Sequence, residues 1–143
     1  MMAKPRIKLG KGKGVKIGDH DITKATEKEG GTDGEYPVFS FKYCDENRHT
    51  FWEIKDEQQR KELIRFFKKM ESMSWVDVKR HNSFRWETFS PSDFKNLPSD
   101  IPPDANIIHL KASPRFVIWG FRYQHIFHII WFDKDHKVKP KKQ

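Results

Sequence analysis

Between residues 36 and 132 the apolar positions follow two different periods. Val38-Phe39-Ser40-Phe41-Lys42-Tyr43 alternates, with Phe39, Phe41 and Tyr43 on one side and Ser40 and Lys42 on the other, which predicts a half-buried strand entered at Pro37. Asp45-Glu46-Asn47 predicts a turn, and Thr50-Phe51-Trp52-Glu53-Ile54 a returning partner strand. The period then becomes helical. Asp56 is placed to cap a helix from Glu57, along which Leu63, Ile64, Phe66, Phe67 and Met70 form an apolar stripe among Arg60, Lys61, Arg65, Lys68 and Lys69. Ser74-Trp75-Val76-Asp77 resembles a capping box and predicts a short second helix that buries Trp75 and Val78 and ends near Arg80-His81.

Residues 90–104 hold four of the eight prolines and predict an ordered but irregular connection. Three strands are expected beyond it: Ile107 to Lys111, Arg115 to Phe121 after a turn at Pro114, and His125 to Phe132 after a hairpin at Tyr123-Gln124. The last is almost continuously apolar, as a central strand covered on both faces would be. The order of elements predicts an α+β fold, an antiparallel sheet of four or five strands with two helices packed on one face.

Composition divides the chain. All 20 aromatic residues lie between Tyr36 and Phe132, whereas seven of the eight glycines lie in the first 34 residues, some in Gly10-Lys11-Gly12-Lys13-Gly14. Such a segment buries too little apolar surface to offset its ordering entropy. The expected organisation is a flexible basic Gly/Lys-rich arm over 1–34 and a single α+β domain over 35–140 with a basic C-terminal tail. The net charge of +8 is terminal: residues 1–16 carry +6 and residues 134–143 carry +4, leaving 17–133 at −2. A flexible cationic segment neutralises phosphates without reading sequence, so Lys11, Lys13 and Lys16 are candidate nucleic-acid contacts. The same arm would also suit an acidic protein partner, or serve only solubility.

No apolar run approaches the ~18 residues of a membrane span, and neither end reads as a signal peptide, so a cytoplasmic protein without membrane contact is expected. Cys44 is alone, which excludes a disulfide framework and a multi-cysteine zinc module. His125, His128, Asp133 and His136 invite a metal reading. Positions 125 and 128 point to opposite faces of a strand, so no metal site and no cofactor is expected. His128 should share a face with Ile126, Ile130 and Phe132 as a buried, hydrogen-bonded histidine. Lys11-Gly12-Lys13-Gly14 lacks the spacing of a phosphate loop.

Two resemblances follow from these residues. Phe39-Ser40-Phe41-x-Tyr43, Met73-Ser74-Trp75, Lys79-Arg80-His81, and the terminal Arg115-Phe116-x-Ile118-x-Gly120-Phe121 with Phe127 to Asp133 resemble a family of small bacterial and prophage proteins whose motifs carry no assigned chemistry. The element order, with a last sheet of Leu-Lys, Arg-Phe-x-Ile and an apolar strand ending in Asp-x-x-His, is similar to the RelE/YoeB/HigB-type toxins. That similarity implies a RelE-like fold, endoribonuclease-type phosphodiester cleavage of RNA at the ribosome, and an antitoxin-type protein partner.

On this resemblance Arg115, His136 and Asp133 would be catalytic. Lys111 would hold phosphate, and Arg80, His81 and Arg122 would contact RNA. The chain departs from the toxins at Lys137, where they carry an aromatic, and has no glutamate where a YoeB-like base would stand. Plainer alternatives stay open: Asp133 to His136 as a solvated turn, Arg115 as a surface residue or a partner of Asp133, and Arg80-His81 as cations at a helix C-terminus. The whole would then be a non-enzymatic nucleic-acid- or protein-binding module of mobile-element origin.

Overall fold

The computed structural model describes residues 31–141. Its regular elements are β1 (Val38–Ser40), α1 (Glu57–Glu71), α2 (Trp75–Arg80), β2 (Glu87–Phe89), β3 (Ile107–Lys111), β4 (Val117–Tyr123) and β5 (Ile126–Asp133). The strands form one five-stranded sheet in the order β1-β5-β4-β3-β2. This is an α+β fold, but the sheet is mixed, because β1 runs parallel to β5 with Val38 opposite Ile126 and Ser40 opposite His128. No hairpin joins these two strands. Both helices and the β2–β4 meander lie between them in the chain, so β1 docks on the open edge of β5 without an antiparallel constraint.

Both helix starts follow their capping residues. The Asp56 carboxylate accepts from Gln58 N at 3.0 Å, and Ser74 Oγ accepts from Asp77 N at 3.4 Å. Leu63, Phe66 and Met70 of α1 and Trp75 and Val78 of α2 are buried against Ile118, Phe127, Ile129 and Phe132 of the sheet. The opposite face is covered by chain without helices. Tyr43, Phe94, Ile101, Ala105 and Val138 close over Ile107, Trp119, Phe121 and Trp131. Every residue of β4 and β5 is buried, which accounts for their nearly uninterrupted apolar sequence.

The sheet carries a bulge. Trp119 pairs with Trp131, but Gly120 pairs with Ile129, leaving Ile130 as the extra residue. Ile130 and Trp131 therefore both face the helix-free core, while Phe132 turns to the helices. His128 shares its side with Ile130 and not, as simple alternation predicts, with Phe132. Its ring stacks on Phe121 at 5.0 Å and meets Tyr43 edge-on at 5.2 Å. It is 1% exposed, and neither ring nitrogen has a hydrogen-bond partner among the described residues, contrary to the expected hydrogen-bonded histidine.

Local side-chain hydrogen bonds overrule propensity in two places. Ser40 Oγ accepts from Lys42 N at 3.2 Å and Cys44 N donates to Phe41 O, which ends β1 early. Phe39 consequently packs on Phe67 of the helix layer, Tyr43 enters the other core, and Phe41 is left exposed. The second case is Thr50–Ile54, where Glu53 Oε2 accepts from both Thr50 N and Thr50 Oγ1 at 3.2 Å. This closes residues 51–53 into a 3-10 turn instead of the expected strand. Strand β2, in the segment after α2, was not expected.

Among the described residues the contacts to the body begin at Thr32: Asp33 O and Glu35 O accept from Val76 N and Trp75 N, so residues 32–34 join the body, while residues 1–30 of the expected arm lie outside the described residues. Among the described residues no helix is long and apolar enough to cross a membrane.

Two outcomes follow from the sheet's interior. A Cβ at Gly120 would run into the His128 carbonyl oxygen and lie 2.7 Å from the Phe127 ring. Gly120→Ala should therefore cost about 3 kcal/mol, read by denaturant unfolding. The second concerns His128, whose burial, with a smaller effect of Lys42, pushes its pKa down to about 4. Below the ordinary histidine value the unfolded chain takes up a proton that the folded chain refuses until about pH 4. Stability should thus fall by about 3 kcal/mol as pH drops from 6.5 to 4. His128→Leu should lose this component of the pH dependence; an unchanged profile would contradict it.

Candidate nucleic-acid interface

Two basic grooves lie near the end of the sheet where β3 and β5 finish. The first, of about 510 Å³, runs between α1 and the segments 83–85 and 111–114. Arg65, Lys69, Arg85 and Lys111 line it against one acid, Glu62. Arg65 and Lys69 stand four residues apart on one helix face, as the helical period requires. Lys69 Nζ lies 3.3 Å from Ser83 Oγ and 5.4 Å from the Phe84 ring centroid. Arg85 follows a 3-10 turn capped by His81, whose Nδ1 accepts from Ser83 N at 3.3 Å, and adopts a left-handed backbone with φ 50°.

The second groove, of about 320 Å³, lies on the helix-free side over Phe94 and Trp131. Arg48, Lys95, Lys137, Lys139 and Lys141 line it against Asp93. The C-terminal tail supplies three of these lysines, and a buried carboxylate sets its path. Asp133, 1% exposed, accepts from Lys137 N at 2.7 Å through Oδ1, and from Val138 N at 2.8 Å and Trp119 Nε1 at 3.1 Å through Oδ2. His49 Nδ1 stands 3.8 Å from Oδ1. Further along, Lys141 N donates to Asp93 O.

Two imidazoles lie where the grooves approach one another. The His109 and His136 ring centroids are 5.5 Å apart. His109 is nearly buried, edge-on to Trp119, with Nδ1 3.0 Å from Arg85 O. A carbonyl only accepts, so Nδ1 carries hydrogen and Nε2 is the free nitrogen. His136 is exposed. Its pKa is lowered by partial burial first, then by Lys139 and His109 and least by Lys111, against an opposing effect of Asp133 that exceeds that of Lys111. One of those lysines lines each groove, so His136 feels the charge of both.

The residues singled out from the sequence separate into groups. Lys111 and His136 belong to the junction. Asp133 adjoins it, but its lone pairs are spent on Trp119 and the tail, so it holds structure and does not stand free to move a proton. Arg115 is exposed on the turn before β4, beside Asp135, whose carboxyl is held below the ordinary range chiefly by Lys134 and to a lesser degree by Lys137 and Arg115. Arg80 and His81 line neither groove.

Arg122, expected on RNA, is wholly buried over the Trp75 ring at 4.6 Å. Its NH2 lies 2.7 Å from Asp33 Oδ1 and 2.7 Å from Thr32 Oγ1, and Nε donates to Gln124 O. It is a packing residue. Lys11, Lys13 and Lys16 lie outside the described residues.

Sequence reasoning missed His109, Arg85, Arg48 and the α1 cations as one set, because they come together only through the register of β3, β4 and β5. Among the described residues no group of three or more His, Cys, Asp or Glu is placed to hold a metal ion. No protein-family model, curated protein or solved structure matched the chain.

Asp133→Asn replaces an acceptor-only carboxylate with an amide that must present hydrogens to some of its three donors. It should cost about 2–3 kcal/mol, read as a lowered thermal midpoint. It should also loosen the tail, read as faster amide exchange at Lys137 and Val138. A variant as stable as the parent with an equally protected tail would refute the holding role.

Proposed function

We propose that the protein binds RNA along the two basic grooves. The observation that carries this reading is the gathering of basic side chains along the two grooves. Nine lysines and arginines line the grooves against two acids; six of the nine belong to residues 17–133, which as a whole are slightly acidic, and three to the basic tail. Charge concentrated in this way is the footprint of phosphate-backbone contact.

For a single strand, the slope of log K against log salt is roughly −0.7 per phosphate neutralised. The double variant Lys69→Ala/Arg85→Gly should therefore flatten the slope by about 1.4, read by fluorescence anisotropy with a labelled single-stranded RNA. An unchanged slope would place the contact elsewhere.

A second reading, phosphodiester cleavage, is favoured by the imidazole pair. His136, whose pKa is lowered by partial burial and then by its cationic neighbours, is suited to take the 2′-hydroxyl proton as that oxygen attacks phosphorus. Lys111 would balance the charge of the pentacovalent phosphorane, and His109 Nε2, in its protonated form, would protonate the departing 5′-oxygen, leaving a 2′,3′-cyclic phosphate. A cytoplasmic RelE-like toxin with an antitoxin-type partner is the form this chemistry would take. His136→Ala should abolish cleavage and relieve growth arrest while retaining RNA binding. RNA binding without turnover, free or on the ribosome, would leave the binding module alone.

A further inference from the structure

Next to the second groove but sharing no lining residue with it, a pocket of about 350 Å³ opens beside the end of β1, walled by Phe41, Phe51, Trp52 and Phe132, with Cys44, Asp45 and Glu46 at its margin. Three of its aromatics stand in solvent: Phe41 is 60%, Phe51 51% and Trp52 59% exposed. Large aromatic surfaces gathered around one cavity mark a contact site more than scattered exposure does. No lysine or arginine lines this pocket, in a chain that has 28 of them.

Its electrostatics are the reverse of the grooves'. Asp45 is fixed at the margin, with Oδ2 accepting from Trp131 Nε1 at 2.7 Å and Oδ1 from Asn47 N at 2.9 Å. Glu46 is exposed beside it. The negative field registers on Cys44, whose thiol is pushed up to about 12 by burial and by the Asp45 and Glu46 carboxylates. The thiol therefore stays protonated and is no nucleophile.

We propose that this pocket receives the ammonium end of a lysine side chain from a partner polypeptide. The negative faces of aromatic rings attract a cation, and two carboxylates at the margin add to that attraction. The space exceeds what a bare ammonium group fills, and the aromatic walls match the apolar stem that lysine buries beneath its charge. Arginine is the poorer fit. It seeks a carboxylate with both oxygens free, and those of Asp45 are already engaged. The proposal is independent of the RNA reading, since the two surfaces carry opposite charge and share no residue.

The test is a titration of the full chain followed at the Trp52 indole resonance. The probes are a three-residue peptide with lysine between two alanines, the same peptide with norleucine in place of lysine, and free choline. The lysine peptide should shift the resonance, with norleucine about tenfold weaker for loss of the cation. Glu46→Gln should weaken the lysine peptide several-fold, and Trp52→Ala should abolish the peptide-induced shifts at Glu46 and Phe41 amides. Both substitutions are at exposed positions, so unfolding midpoints should not move. Equal binding of norleucine and lysine would reduce the pocket to an apolar patch. Choline binding without peptide binding would make it a small-cation site, and no shift with any probe would overturn the proposal.

Discussion

The geometry of the candidate interface depends on one buried anion. Removing the Asp133 carboxylate from water is costly, and it is tolerated because two backbone N–H groups and the Trp119 indole donate to it. Those bonds do more than satisfy the charge. They turn the chain back over the sheet immediately after β5, so that Val138 enters the helix-free core and Lys137, Lys139 and Lys141 line the second groove. Without the turn, Trp131 and Phe94 would lose part of their cover and His136 would have no fixed relation to His109. A residue that reads from sequence as a proton carrier acts as the clamp that sets the path of the tail.

The opposite end of the sheet is closed by a buried cation. Arg122 occupies the helix face of β4, where an apolar residue would fit the pattern, and is made tolerable by Asp33 and the Trp75 ring. The guanidinium in turn holds the Asp33 carboxyl below its ordinary range, chiefly through their hydrogen bond. This interaction ties residues 32–35 to α2 and the last hairpin. The described body thus has an ion-paired clasp at one end and a carboxylate clasp at the other. Around the second clasp the surface charge is sorted: cations line the two grooves, and carboxylates stand beside the aromatic pocket.

The two helices and the central strands were legible because their signals are local and redundant. Asp56 and Ser74 are capping residues followed by helical periods, and β4 and β5 are too apolar to be anything but buried. What was not legible rests on choices that periodicity does not see. Glu53 reaching back to Thr50 turns a β-rich pentapeptide into a 3-10 turn, and Ser40 ends β1 before Phe41. One extra residue at Ile130 moves Phe132 across the sheet. The site was half legible for the same reason. Lys111 and His136 stood out near the last hairpin, but His109 looks like an ordinary polar interruption between Ile108 and Leu110 until the strands are placed in register. Arg122, expected on RNA, packs instead on a tryptophan, because Asp33 and the Trp75 ring make its burial tolerable.

Backbone conformation gives an independent reason to look at this end of the molecule. Four described non-glycine residues have positive φ: His49, Arg85, Gln124 and His136. Gln124 belongs to the hairpin joining β4 and β5, where a left-handed residue serves the turn. The other three belong to the candidate interface: Arg85 lines the first groove, His49 the second, and His136 feels the charge of both. A left-handed conformation costs a side-chain-bearing residue on the order of 1 kcal/mol, and glycine would relieve that cost. At each of these positions the fold carries a cation or an imidazole instead. Strain of this kind persists where surrounding contacts hold it, and here they are identifiable: the His81-capped turn before Arg85, and the Asp133 carboxylate beside His49 and below the His136 turn. Arg85 and His49 are kept at strained positions where they line the two grooves, which ties the cost in stability to the candidate interface.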